Sequence, residues 1–192
     1  MTDELWTLAG IGLAMRGFFI LLFAGAIAHK LSDRAQFAAT LRGYLKPLDL
    51  SLSVGAITLL SMAVIGLECV TIIALLIAPG PIASLATGLV LLIYAAAMAF
   101  NILVGNKLLD CGCGWGGEKQ PVNALHIARN LVLIALASTL VWLEAGIVAA
   151  GLDVMLWVNS AFLAAALLLL TALVNQLILN RELAQMTQPK GE

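Results

Sequence analysis

The chain has 192 residues, 62% of them apolar and only 11% charged, with a mean hydropathy of +1.04. Soluble domains sit near half apolar and a quarter charged, so the composition excludes one and makes lipid the surrounding phase. Ten Lys and Arg against eleven Asp and Glu, net −1, exclude a polybasic nucleic-acid binder and an acidic disordered tail.

A bilayer core of about 30 Å needs roughly 20 apolar residues of helix. Five runs of that kind are predicted as membrane spans, over about 6–28, 50–78, 82–104, 122–149 and 154–179. They leave almost nothing for a soluble domain, so residues 1–192 are expected to form a single integral membrane domain. The fold class is all-α, a polytopic helical bundle. The first run follows the acidic leader Met1-Thr2-Asp3-Glu4, whereas a secretory signal begins basic, so it is expected to stay in the protein. Gly10 with Ala14, Ala24 with Ala28, and Ala164-Ala165-Ala166 are small residues at spacings that let helix backbones approach closely.

The connections alternate. Pro79-Gly80-Pro81 and Gly151-Leu152-Asp153 are tight turns, while 29–49 and 105–121 are longer and polar. Lys30, Arg34, Arg42, Lys46, Lys107, Lys119, Arg181 and Lys190 therefore gather at one face, and Asp3, Glu4 and Asp153 at the other. By the positive-inside bias, the expected placement is a bacterial inner membrane with the amino terminus outside and the carboxyl terminus cytoplasmic.

An ionisable group inside hydrocarbon is expensive and asks for a partner or a role. Arg16 and Glu68 each fall about ten residues from the outer end of a span, so equal depth predicts an intramembrane pair. That pair would either pin two helices or give Glu68 a proton- or quinone-linked role. Cys69 reads as a small apolar core residue. On the inner side, Asn101 closes the third span and Arg129-Asn130 open the fourth, near Lys30 and His126.

The chemistry concentrates in Asp110-Cys111-Gly112-Cys113. Two thiols one residue apart can close a small ring, because glycine accepts the backbone it needs; such a disulfide is strained, labile and oxidising. Nearby cations favour thiolate over thiol. These features suit thiol–disulfide exchange, with Cys111 and Cys113 as the reacting pair and Lys30, Asp110, Gly112, His126, Arg129 and Asn130 in support. Zinc held by the two cysteines with His29 and His126 is the weaker reading, since the histidines lie on separate helices. A quinone is the one cofactor the reading admits, with Phe100 and Trp115 as its aromatic start.

The residues Ala24-Gly25, Lys30-Leu31, Phe37, Tyr44-Leu45, Pro47, Glu68, Asp110-Cys111-Gly112-Cys113 and Arg129-Asn130 make the chain resemble the MauE family of methylamine-utilisation membrane proteins, related to DoxX-like proteins. The resemblance runs over roughly residues 10–140 and departs from the usual loop by placing Gly114 ahead of Trp115. It implies a DoxX-like four-helix core within the five spans. It also implies a role in maturation or export of the disulfide-rich small subunit of methylamine dehydrogenase, with the thioredoxin-like periplasmic protein MauD as partner. Whether the chain is an oxidoreductase or a non-redox assembly factor for the same client stays open here.

Overall fold

The structure is a computed structural model, and it describes residues 2–106, 122–150 and 154–187. Among the described residues, six α-helices follow one another: α1 Thr2–Ser32, α2 Arg34–Leu45, α3 Val54–Ile77, α4 Gly80–Leu103, α5 Ala124–Ala150 and α6 Val154–Thr187. Five are long and apolar enough to cross a bilayer, over Trp6–Ser32, Val54–Ile77, Gly80–Leu103, Ala124–Leu143 and Val154–Ile178. The sixth, α2, occupies a stretch that the sequence presented as a polar connection. It forms because Asp33 caps it, accepting from the Gln36 amide at 2.8 Å, and it stays because Phe37 and Thr40 are buried.

Local chemistry sets the other boundaries. Ser53 caps α3 through the Ala56 amide, and Pro81 sits in the first turn of α4, where its missing N–H costs nothing. The end of α4 is a Schellman turn: Gly105, at φ +80°, donates to the Ile102 carbonyl, and the Asn106 amide reaches back to the Asn101 carbonyl at 2.9 Å. Asn123 opens α5 by accepting from the Leu125 and His126 amides.

Pairs of contacts fix helix direction. Arg16 reaches Ala78 while Lys30 reaches Glu68, so α1 and α3 are antiparallel. Ser160 donates to the Gly10 carbonyl while a Cβ on Gly17 would meet Ala164, so α1 and α6 run parallel. In the same way α5 runs against α1, with Gly12 facing Ile147 and Thr139 reaching Met15. Helix α1 is thus the hub, with α3, α5 and α6 around it and α4 against α3 and α5. Close approach is what its glycines permit: a Cβ on Gly12 would lie 2.7 Å from Ile147 Cδ1, and one on Gly17 3.2 Å from Ala164 Cβ. Ala14 and Ala164 are buried as the small-residue spacing predicts, whereas Ala24 and Ala28 are exposed.

The interior is built by Phe18, Phe19, Phe23, Leu91, Leu133 and Leu140. The outside is equally apolar: Leu59, Ile77, Leu85, Leu103, Trp142 and Phe162 are each more than 70% exposed. A water-soluble monomer does not carry an apolar surface of that extent; a membrane bundle must.

Candidate functional site

Glu68 on α3 is fully buried, and its partner is Lys30, not Arg16. The Lys30 ammonium stands 2.6 Å from Glu68 Oε1, and the Tyr94 hydroxyl on α4 donates to the same oxygen at 2.6 Å. The ammonium also lies 5.5 Å from the centre of the Phe37 ring and 5.4 Å from that of Tyr94, within cation–π range. Lys30 is 3% exposed, which corrects its expected place among the free charges of the inner face.

Both corrections have one cause. Helix side chains lean toward the helix amino terminus, so Lys30, in the last turn of α1, points back into the bundle and down onto Glu68. Arg16 leans the same way, toward the amino terminus of α1, and that carries it away from Glu68. Its long side chain carries the guanidinium to the last carbonyls of α3, donating to Leu75 at 2.7 Å and Ala78 at 2.8 Å. Those carbonyls lack partners within their own helix, so Arg16 closes a helix end rather than pairing with Glu68. Cys69, next to Glu68, is exposed on the outer surface of α3 and is not a core residue.

The two polar clusters that the sequence separates form one site. Arg129 on α5 donates from Nη1 to Asn175 Oδ1 on α6 at 2.7 Å, and Asn130 is 1% exposed beside it. Arg129, Asn130, Thr171, Asn175, Glu68 and Tyr94 line a single cavity of about 40 Å³ that is otherwise walled by apolar side chains such as Phe23, Leu91 and Leu133. Among the described residues, three buried polar side-chain atoms have no hydrogen-bond partner: Glu68 Oε2, Arg129 Nε and Asn130 Nδ2. All three belong to residues lining this cavity. Tyr94 and Asn175 were not singled out from sequence; the signal was a hydroxyl and an amide within apolar runs, where each polar group needs a partner.

His126 is fully buried at the start of α5, with its ring Nδ1 3.0 Å from Asn123 Oδ1, so it helps build that helix end. Phe100 is 38% exposed on α4 and does not line the polar cavity. Cys111, Cys113, Asp110, Gly112 and Trp115 lie outside the described residues. The helix ends on either side of them are anchored. Asn106 donates to the Gly43 carbonyl at 3.0 Å and to Asn101 Oδ1 at 2.8 Å, and Val122 is buried against Met98. Those anchors lie at the same end of the bundle as α2 and Lys30.

Comparison with known proteins gives the chain its relatives. No solved structure matches it. It is 38% identical over 125 residues to the methylamine utilization protein MauE of Paracoccus denitrificans and 34% identical over 141 residues to that of Paracoccus versutus, each alignment covering 65% of this chain and 64% of the relative. The matched region thus spans less than two thirds of the length of these curated relatives. The family model described as methylamine utilisation protein MauE matches residues 8–143, from the first turns of α1 to the middle of α5, and so takes in the whole Lys30–Glu68–Arg129–Asn130 constellation. This multi-pass helical chain belongs to the MauE family of methylamine-utilisation proteins.

Proposed function

We propose that this chain is an inner-membrane thiol–disulfide exchange protein that supports maturation of the disulfide-rich small subunit of methylamine dehydrogenase, working with a thioredoxin-like protein of the MauD kind. The observation that carries the reading is the position of Cys111-Gly112-Cys113 between two anchored helix ends, α4 closed by its Schellman turn and α5 opened by Asn123. Both flanks, Asn106 and Val122, are tied to the α2 end of the bundle, which supports a reading in which the intervening dithiol serves a docked protein.

The exchange balances in two steps. The thiolate of one cysteine attacks a sulfur of the partner's disulfide, forming a mixed disulfide and releasing the partner's other sulfur as thiolate. The second cysteine thiolate then attacks its neighbour's sulfur, closing the Cys111–Cys113 disulfide and leaving the partner with both sulfurs reduced. Two electrons pass to the partner; the reverse sequence oxidises a client dithiol.

Replacing Cys113 by Ser traps the first step. The variant should accumulate a covalent adduct with a thioredoxin-like protein, and the Cys111→Ser/Cys113→Ser chain should fail to support formation of the mature dehydrogenase. Normal maturation with both cysteines replaced would overturn the redox reading and leave an assembly factor whose thiols are incidental.

A further inference from the structure

The orphaned polar atoms and the lipid-facing surface meet at one place. Helices α5 and α6 both pack on α1, and between them lies an apolar groove of about 430 Å³ whose walls include Leu125, Ala128, Val132 and Leu170. Val132 is 60% exposed and Leu170 56%, so the groove faces the surrounding lipid. Arg129, Leu133 and Thr171 line both this groove and the polar cavity. The groove therefore leads from lipid to Arg129 Nε, Asn130 Nδ2 and Glu68 Oε2.

We infer that this is a binding site for a single-chain amphiphile: an aliphatic chain in the α5–α6 groove and a compact oxygen-bearing head in the polar cavity. The donor set defines the head. Arg129 Nε–H and Asn130 Nδ2–H call for an oxygen acceptor, a carboxyl oxygen or a ring hydroxyl oxygen. Glu68 already gives Oε1 to Lys30 and Tyr94, and its Oε2 can accept from a head hydroxyl. A buried donor left unmade in hydrocarbon is costly, so occupancy satisfies groups that the protein itself leaves unpaired. Size sets the limit. A cavity of about 40 Å³ has room for a few water-sized groups, which suits a compact head such as a carboxyl group or the oxygen-bearing edge of a ring. A fatty acid and a quinol share this chemistry.

Binding of three radiolabelled probes to the purified full-length protein in detergent separates these sources: dodecanoic acid, a decyl-substituted benzoquinol, and dodecane as the headless control. At least one oxygen-headed probe should bind saturably at about one per chain, and dodecane should not compete with it. Ala128→Trp fills the groove from a lipid-facing position, so it should abolish saturable binding without moving the melting temperature. Asn130→Ala removes one head contact and should weaken binding about tenfold. Which probe wins identifies the head, carboxyl or ring. Equal binding of dodecane, binding unaffected by Ala128→Trp, or no binding of either oxygen-headed probe, with the orphaned atoms met by water alone, would overturn the inference. The Cys111→Ser/Cys113→Ser chain should bind the probe as the wild type does, so failure of the dithiol chemistry and failure of this site register in different measurements.

Discussion

Lys30 and Glu68 meet at 2.6 Å across 38 residues of chain, with side chains 3% and 0% exposed. A buried ion pair of this kind owes its existence to both partners at once, because either charge alone in the bundle interior is uncompensated. Removing one is therefore more damaging than removing both. Lys30→Met and Glu68→Leu are each expected to lower stability by about 3–5 kcal/mol, and Lys30→Met/Glu68→Leu by less than the sum. Thermal unfolding of the purified protein in one detergent checks the cycle; additive losses would mean that the pair is not coupled.

Arg16 supplies the contrast. It bonds to the Leu75 and Ala78 carbonyls and not to Glu68, so Arg16→Leu should cost about 1–3 kcal/mol through carbonyls left unmet. In a double-mutant cycle with Glu68→Gln, the two losses should add within about 0.5 kcal/mol. A coupling well above that would restore the ion pair that depth counting suggested.

Much of this arrangement was legible in the chain itself, and the misses share a physical origin. Span number and boundaries follow from hydropathy because lipid admits nothing but internally bonded helix at that depth. That Glu68, Arg129 and Asn130 need polar company inside the bundle was readable for the same reason. Their convergence was not, because a one-dimensional depth count ignores the direction in which a side chain leans and the helix face on which it stands. Lys30 and Arg16 show the first effect, one turned inward from a helix end and the other carried to one. Cys69 shows the second: it follows Glu68 in sequence, yet the roughly 100° step between successive helical residues turns it out to the surface. Helix α2 was missed because its twelve residues carry no strong apolar stripe, and a cap plus two buried residues hold it.

The glycines of α1 make a packing prediction. Gly12→Ala brings a methyl group to within 2.9 Å of two Ile147 atoms and 3.2 Å of Leu143 Cβ, so α5 must move or Ile147 must rotate, at about 1–3 kcal/mol. Ile147→Val removes the nearest of these atoms and should recover part of the loss. Gly66→Ala, with nothing within 4 Å, should be neutral or stabilising by up to about 1 kcal/mol, since alanine is the better helix former. Melting temperatures of the three variants would test this, and equal effects at Gly12 and Gly66 would refute tight α1–α5 packing.

Charge predicts which membrane face carries the dithiol. With Lys30 paired to Glu68, the end of the bundle that holds α2 still gathers Arg34, Arg42, Lys46 and Arg181, and the opposite end Asp3 and Glu4. The positive-inside bias therefore survives the correction and points the α2 end, with the Cys-Gly-Cys segment, to the cytoplasm. In a chain whose three native cysteines are replaced by Ser, Asp153→Cys should react with a membrane-impermeant maleimide on intact spheroplasts, and Ser51→Cys only after permeabilisation. The reverse pattern would turn the bundle over. It would also bring Cys111 and Cys113 to the outer face, where an exported thioredoxin-like partner meets them directly; with the expected pattern, the pair draws electrons from a cytoplasmic thiol and passes them across the bundle toward that partner.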